Sequence, residues 1–128
     1  MTPPGAPARP TILVVEDEPP VQQLVADLLA DEGYRVLLAA DGAEALALVG
    51  AEPPDLVLTD LMMPVLNGVE LCRRLRADER TRAVPIVVMT AAGRGPSETA
   101  GANAYLAKPF DLDVLLEVIA SYVGPGQT

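Results

Sequence analysis

The sequence predicts an α/β domain in which five parallel strands alternate with helices. Five short apolar runs recur along the 128 residues, and stretches with helical periodicity lie between them. This alternation is typical of βαβ units, which form parallel sheets. The runs are almost entirely apolar, as expected of strands that helices cover on both faces. We therefore predict a five-stranded, doubly wound sheet built from segments 12–15, 34–40, 54–60, 84–90 and 104–107.

The first helix is predicted to begin at Pro19 and Pro20, because proline suits the first turn of a helix. Gly33 is a suitable end for this helix. Between these points, apolar residues recur at the spacing of one helical face. This stripe consists of Val21, Leu24, Val25, Leu28 and Leu29.

The later helices begin at polar residues that can cap them. Asp41, with Glu44 three residues on, resembles a capping box, and Asn67 is a candidate N-cap for the next helix. In that helix we expect Cys72 to fill the core rather than to react. Asp111 is the predicted cap of the last helix. The buried stripe of the last helix is expected at Leu112, Leu115, Leu116, Ile119 and Val123.

The predicted domain spans residues 11–123. Residues 1–10 contain four prolines and no periodicity, so we expect a disordered arm there, and we expect residues 124–128 to be a tail or a linker stub. No apolar run approaches the ~18 residues of a membrane span, and the N-terminus lacks the apolar region of a signal peptide. Together with the single cysteine, these features predict a cytoplasmic protein without membrane contact.

The composition excludes several classes of function. The net charge of −9 argues against direct nucleic acid binding, because phosphate backbones require basic surfaces. The chain has no histidine, which excludes His-based catalytic triads, His metal sites and a phosphohistidine carrier. Arginine supplies every basic residue except one, so the single lysine, Lys108, stands apart from the rest of the sequence.

Four of the five predicted strands deliver a charged group or a hydroxyl at their carboxyl ends. Glu16 and Asp17 follow the first strand, Asp60 ends the third, Thr90 the fourth, and Lys108 follows the fifth. Ligands bind beyond these ends in doubly wound sheets. The five residues therefore predict one site.

The residue types at this site point to phosphoryl transfer. Two carboxylates about 4 Å apart repel by ~1 kcal/mol in water, and by ~4 kcal/mol at an effective dielectric constant of roughly 20. A hard divalent cation removes this penalty, and an all-oxygen site suits Mg²⁺. Mg²⁺, a lysine and a hydroxyl around one carboxylate are groups that transfer phosphoryl groups. The pattern predicts Asp60 as the nucleophile, Lys108 as the cation for the phosphoryl oxygens, and Thr90 as a hydrogen-bond donor.

These residues lie in four segments that resemble the receiver domain of bacterial two-component response regulators: ILVVEDE, LVLTDLMMP, VVMTA and YLAKPF, in this order. The resemblance covers roughly residues 11–123 and includes the single-domain receivers of chemotaxis. It implies a flavodoxin-like strand order of 2-1-3-4-5. It also implies a signalling switch, rather than an enzyme with a separate substrate, that receives a phosphoryl group on Asp60 from a sensor histidine kinase or a phosphotransfer protein. The switch would then act on a downstream protein or an output domain.

The resemblance also implies roles for single residues. Lys108 would pair with Asp60 or its phosphate, next to a peptide to Pro109 that the family usually has in the cis form. Thr90 and Tyr105 would be the switch pair that couples the phosphate to the surface of the last two helices. The Mg²⁺ ligands would be Asp17, Asp60 and the carbonyl of Met62, with Glu16 contacting the ion through water.

Simpler interpretations of these residues stay open. Glu16 and Asp17 would also serve as caps of the first helix. Thr90 would be an ordinary strand-end residue, and Lys108 a surface charge. Tyr105 would be a core aromatic, because tyrosine is common in strands.

Three other functions fit the pattern less well. An enzyme that hydrolyses phosphate esters through an aspartyl phosphate would need a general acid two residues after Asp60, where Met62 stands. A flavin-binding electron carrier would need a phosphate cradle rich in Gly, Ser and Thr in place of EDEPP. The main alternative is a degenerate receiver that acts only as a protein-interaction module, which would not need the complete set of acids, hydroxyl and lysine.

One region departs from the family pattern. Lys108 follows Thr90 by only 18 positions, about four fewer than receivers usually have, which is close to one helical turn. The intervening AGRGPSETAGA has poor helix propensity and no large apolar residue. We therefore predict a shortened or irregular fourth helix in this segment.

The last helix carries a second apolar face, formed by Val114, Val118 and Tyr122. This face either packs against a neighbouring helix or is exposed. In the second case it predicts a homodimer or a partner contact through the last helix.

Overall fold

The computed structural model of the protein describes residues 9–61, 65–91 and 101–126. In this part of the chain the strands are β1 (Thr11–Val15), β2 (Arg35–Ala39), β3 (Leu56–Asp60), β4 (Ile86–Ala91) and β5 (Ala104–Lys108). The helices are α1 (Pro19–Asp31), α2 (Gly42–Ala51), α3 (Gly68–Ala77) and α4 (Leu112–Val123). All strand pairs are parallel, in the order β2-β1-β3-β4-β5. The predicted sheet and its strand order are confirmed.

Helices cover both faces of the sheet, as the apolar strands predict. Successive residues of a strand point to opposite faces, so each strand contributes to two cores. The core between the sheet and helices α1 and α4, called the first core below, includes Ile12, Val14, Leu56, Leu58, Val87, Met89, Val25, Leu29, Leu115 and Ile119. The second core, between the sheet and helices α2 and α3, includes Leu13, Val15, Val57, Ile86, Val88, Ala45, Val49, Leu71, Cys72 and Leu75.

The predicted helix starts are confirmed. Asp41, Asn67 and Asp111 each accept a hydrogen bond from a backbone N–H in the first turn of α2, α3 and α4, at 2.8 to 3.0 Å. Helix α1 begins at Pro19, and its N-cap residue, Glu18, makes no side-chain capping bond. Cys72 is fully buried in the second core, and burial raises the pKa of its thiol to about 11. It fills the core, as predicted.

Two predicted helix faces differ in detail from the structure. Leu24, predicted in the buried stripe of α1, is 54% exposed, because α1 packs onto the sheet through Val25 and Leu29 and Leu24 lies to one side of that line. On α4, Val118 packs against the first core, whereas Val114 and Tyr122 are 44% and 39% exposed. The second apolar face of α4 is thus divided between the core and the surface.

Several predictions fall on residues that the structure does not describe. The predicted fourth helix lies mostly in residues 92–100, and the predicted arm mostly in residues 1–8, both outside the described ranges. The chain after α4 is described as far as Gly126, and the hydroxyl of Tyr34 donates a hydrogen bond to the carbonyl of Gly124 at 2.8 Å. Within the described ranges, no helix is both long and apolar enough to cross a membrane. The domain boundaries stay predictions.

Candidate functional site

Three strands bring Glu16, Asp60 and Lys108 together at the carboxyl edge of the sheet. The Nζ atom of Lys108 lies 3.1 Å from Oε2 of Glu16 and 3.1 Å from Oδ2 of Asp60. The side chain of Glu16 is fully buried, and those of Asp60 and Lys108 are 11% and 25% exposed. Two carboxylates therefore share one ammonium group in a largely enclosed position, where electrostatic attraction is stronger than in water.

Strand alternation explains why these three side chains converge. Alternate residues of a strand share one face of the sheet. Each of the three lies two residues beyond a residue of the first core, namely Val14, Leu58 and Leu106. Neighbouring strands are ~4.8 Å apart, so Lys108 on β5 has to reach over β4 to meet Asp60 on β3. The long side chain of lysine can span this distance, and an aspartate or asparagine at this position could not.

Burial and charge shift the pKa values at this site. Burial raises the pKa of Glu16 above its ordinary value; the hydrogen bond from Lys108 opposes the rise, and the nearby charge of Asp60 adds to it. For Lys108, burial alone would lower the pKa, but the hydrogen bonds to Glu16 and Asp60 and the negative charges of these carboxylates together outweigh burial and raise it. Lys108 is therefore a fixed positive charge at neutral pH, and the fold disfavours the ionisation of Glu16.

Carboxylate oxygens also cluster in the loop after β1. One oxygen from each of Glu16, Asp17 and Glu18 lies within 4.8 Å of the others, and Asp17 and Glu18 are exposed. One buried and two exposed carboxylates form a hard donor set that suits Mg²⁺, which retains several water molecules. Among the described residues, Asp60 falls outside this cluster and is bound instead by Lys108.

Of the predicted metal ligands, Met62 lies outside the described residues. Glu18 is a candidate that sequence reasoning missed, since only Glu16 and Asp17 were singled out after the first strand. Its own carboxylate gave a signal, since it extends the acidic pair after β1 to three consecutive acids.

The predicted switch residues Thr90 and Tyr105 lie on neighbouring strands. In the sheet register Asp60 on β3 is paired with Met89 on β4. Thr90 is the next residue of β4 after Met89. Tyr105 is paired with Val88, so it shares a face with Thr90. Thr90 is buried, and Tyr105 is half-buried against the second core. The structure thus places Thr90 at the same sheet edge as Asp60.

The start of α3 packs closely against the end of β3. A Cβ atom at position 68 would lie 2.5 Å from the carbonyl oxygen of Asp60, so only glycine allows α3 to begin so near this strand. The N–H of Gly68 donates to the carbonyl of Leu61 at 2.8 Å. In the same loop, Val65 has φ +68°, a left-handed conformation that costs a β-branched residue roughly 1–2 kcal/mol.

The fold and the site together define a class of protein: a doubly wound α/β domain with a lysine-bridged cluster of carboxylates at the carboxyl edge of its sheet. The peptide between Lys108 and Pro109 is cis, as the resemblance implies. The family model for the response regulator receiver domain matches residues 12–120 of this chain. The chain belongs to this family, whose members are signalling switches of two-component systems.

Two curated relatives illustrate the range of the family. Protein PilH of Pseudomonas aeruginosa is 37% identical over 112 residues, which cover 84% of this chain and 93% of PilH. The DNA-binding dual master transcriptional regulator RpaA of Synechocystis is 40% identical over 111 residues, which cover 84% of this chain and 46% of RpaA. The chain spans about half the length of RpaA and of two further regulators that it matches.

A solved structure also resembles this chain along most of its length. The receiver domain of a sensor histidine kinase from Pseudomonas aeruginosa has a TM-score of 0.84 and 40% sequence identity, covering 91% of this chain and 99% of that domain. That structure has a magnesium ion coordinated in its active site cleft.

Proposed function

We propose that this domain accepts a phosphoryl group on Asp60 in an Mg²⁺-dependent reaction and signals by changing a protein-interaction surface. The observation that supports this most is the ammonium of Lys108, held 3.1 Å from Oδ2 of Asp60 at the carboxyl edge of the sheet. The donor is a sensor histidine kinase or a phosphotransfer protein in the cytoplasm. The phosphorylated domain acts on a downstream protein or an output domain.

In the proposed reaction a carboxylate oxygen of Asp60 attacks the phosphorus of a phosphohistidine on the donor. A P–O bond forms, the P–N bond breaks, and its electron pair returns to the imidazole nitrogen of the donor. Lys108 is already charged and beside Asp60, so it can hydrogen-bond to the phosphoryl oxygens without reorganising. Thr90 donates a further hydrogen bond to the phosphorylated side chain.

The oxygen donors at the site fit Mg²⁺. We assign the ion to Asp17, Asp60 and the carbonyl of Met62, with Glu16 in contact through water; Glu18, in the same carboxylate cluster as Asp17, is a further candidate ligand. When bound, Mg²⁺ supplies positive charge to the phosphoryl oxygens. The hydrogen bonds of Glu16 support its indirect role, because Oε1 accepts the N–H of Glu18 at 3.2 Å and Oε2 accepts from Lys108.

The proposed switch runs from Thr90 to Tyr105. Both residues lie on the face of the sheet that α2 and α3 cover, on adjacent strands. A hydrogen bond from Thr90 to the phosphoryl group would draw its side chain toward Asp60 and change the space available to Tyr105. The proposed readout is the surface of the last two helices, of which the structure describes α4.

A groove beside the acceptor offers a surface for the phosphoryl donor. Its volume is about 600 Å³, and its lining includes Val21, Leu24, Lys108, Phe110 and Leu112. Leu24 is exposed because it lies in the lining of this open groove. Because the groove is continuous with Lys108, we propose that an apolar helix face of the donor packs here while its phosphohistidine reaches Asp60.

The acceptor assignment is tested with acetyl phosphate, Mg²⁺ and intact-protein mass spectrometry. Wild type is expected to gain the mass of one phosphoryl group, and Asp60→Ala is expected to gain none. Asp27→Ala, which removes an exposed carboxylate from α1, is the matched control and should behave as wild type. Equal labelling of Asp60→Ala and wild type would contradict the assignment. A folded wild type that is never labelled would favour the degenerate receiver.

A homodimer through α4 is the second proposed contact. Val114 is the appropriate probe, because Val118 packs against the first core and Val118→Glu would disturb the fold. Wild type with Mg²⁺ and beryllofluoride, a phosphoryl analogue, is expected to sediment as a dimer, and Val114→Glu as a monomer. Identical sedimentation of the two proteins would exclude this contact.

A further inference from the structure

A second polar network lies at the amino ends of β4 and β5, at the edge of the sheet opposite the acceptor. Its centre is formed by Arg76, near the end of α3, and Asn103, just before β5. Ile86, the first residue of β4, and Tyr122 of α4 complete it. Sequence reasoning assigned no role to Arg76 or Asn103.

The guanidinium of Arg76 joins α3 to the segments that precede β4 and β5. Its Nη1 donates to the carbonyls of Arg82 and Val84, at 2.9 and 2.6 Å. Its Nε donates to the carbonyl of Gly101 at 2.9 Å, and its Nη2 to Oδ1 of Asn103 at 2.7 Å. A planar guanidinium holds several acceptors in a fixed arrangement, which the flexible ammonium of lysine does not.

Asn103 connects the network to the sheet and to α4 through hydrogen bonds. Its N–H donates to the carbonyl of Ile86 at 2.8 Å, and its Oδ1 accepts the N–H of Ile86 at 2.8 Å in addition to Arg76. Its carbonyl accepts a hydrogen bond from the hydroxyl of Tyr122 at 3.0 Å. One residue thus closes the first pairing between β4 and β5 and binds two helices.

The turn before Asn103 is built for this contact. Gly101 has φ +104°, where a side chain would be strained, and a Cβ there would lie 3.3 Å from Cγ of Arg76. Glycine at this position therefore lets the chain pass close to the arginine side chain and offer its carbonyl to it.

We propose that Arg76, Asn103 and Tyr122 form a latch that fixes the point at which the chain re-enters the sheet after β4. The latch holds the amino ends of the two strands whose carboxyl ends carry Thr90 and Lys108. Its consequence for signalling rests on the proposed function: changes caused by phosphorylation are confined to the carboxyl side of β4 and β5, while α3 and α4 keep their positions at the amino side. Arg76 is accordingly a positioning residue for the switch.

The first test is amide hydrogen exchange of the free protein. Arg76→Lys keeps the charge and loses the planar fork, so we expect exchange at Ile86 and Asn103 to become about tenfold faster than in wild type. Exchange at Leu13, in the centre of β1, should not change. The control is Arg74→Lys on the same helix, where the exposed ion pair with Glu70 spans 3.4 Å; it should leave all of these amides unchanged. If Arg76→Lys exchanges as this control does, the latch is refuted.

The second test repeats the exchange with Mg²⁺ and beryllofluoride. Ile86 and Asn103 lie at the amino ends of β4 and β5, so we expect their amides to exchange by local opening, which global stabilisation by the analogue does not slow. The analogue should therefore leave their exchange within about twofold of the free protein in wild type, and should change it further in Arg76→Lys. A purely structural role for Arg76 would speed exchange equally with and without the analogue. Wild-type amides that respond as strongly as those of the variant would overturn the proposal.

Two further outcomes are separable. If the analogue fails to bind, the proposed function is wrong, while the free-protein comparison still decides whether the latch exists. If Arg76→Lys does not fold, Tyr122→Phe removes only the hydroxyl that binds Asn103, and exchange at Asn103 should become about threefold faster. Unchanged exchange at Asn103 in Tyr122→Phe would then refute the latch.

Discussion

At the scale of single residues, the site is organised by one ammonium group that two carboxylates share. The convergence of Glu16, Asp60 and Lys108 was predictable, because topology brings the carboxyl ends of parallel strands to one edge. The different environments of Glu16 and Asp17, one buried and the other exposed, were not predictable. Alternation continues one residue beyond β1, so Glu16 turns toward the first core and is buried, whereas Asp17 turns to solvent. The pairing with Lys108 follows from that burial.

The raised pKa of Glu16 predicts a pH-dependent effect on stability. The folded protein binds the Glu16 proton more tightly than the unfolded chain does. The stability that this proton contributes is complete below the ordinary carboxyl pKa, declines as pH rises to the raised pKa, and stays lost above it. Glu16→Gln mimics the protonated form. It is expected to raise the melting temperature at pH 7 in metal-free buffer, with a gain that shrinks toward pH 4.

Thermal unfolding followed by circular dichroism measures this effect. The control is Glu18→Gln, a neighbouring and exposed carboxylate whose replacement should give no comparable gain. The chain has no histidine, so no imidazole titrates in the chosen range. A lower melting temperature of Glu16→Gln at pH 7 would mean that the bond to Lys108 outweighs the cost of burial.

At the scale of elements, periodicity and caps identified the described strands and helices, and the errors concern helix faces. An apolar stripe shows that a helix has a buried side but not how wide the contact is. Leu24 therefore appeared equivalent to Val25, although only Val25 reaches the core. Val118 shows the opposite case, because its place in a second stripe concealed its contact with the first core. Backbone conformation could not be predicted from the apolar periodicity either, because nothing in the sequence indicates a left-handed conformation at Val65.

Val65 predicts a stabilising substitution in the loop after the acceptor. Its left-handed conformation is disfavoured for a β-branched residue, and its side chain is 80% exposed, so little packing is lost on replacement. Val65→Asn is expected to raise the free energy of unfolding by about 1 kcal/mol, because asparagine tolerates this conformation. Urea denaturation measures the change. Val69→Asn, at a 40% exposed position in α3, is the control and should show no gain. Equal effects at both positions would show that the strain at Val65 contributes nothing to stability.

At the scale of the whole molecule, the sheet carries one cluster of polar side chains at its carboxyl edge and a different one at its amino edge. The proposed acceptor site at the carboxyl edge was visible in the sequence because the residue types are unusual and their positions follow from topology. The network at the amino edge was not. Arg76 and Asn103 are 27 residues apart, and their bond depends on the exact path of two connections that no periodic pattern describes. Arginine and asparagine are also ordinary surface residues, so composition gave no signal.

The proposed function predicts that a phosphoryl analogue stabilises the entire fold. The free protein holds Glu16 and Asp60 against a single lysine, and the chain carries a net charge of −9. A ligand that binds only the folded state stabilises it by about 2.7 kcal/mol at a hundredfold excess over its Kd. Mg²⁺ with beryllofluoride at that excess should therefore raise the melting temperature of wild type on the order of 10 °C.

The rise in melting temperature should depend on the acceptor and its lysine and not on positive charge in general. Asp60→Asn removes the anionic ligand, and Lys108→Met removes the ammonium beside it, so both variants should lose most of the increase produced by the analogue. Arg35→Met, which breaks an exposed ion pair with Glu52 outside the acceptor site, should keep it. The comparison uses the increase within each variant, because the three substitutions change the starting stability by different amounts. If Lys108→Met and Arg35→Met respond equally, the stabilisation reflects general screening of the acidic chain, and Lys108 does not act on the phosphoryl group.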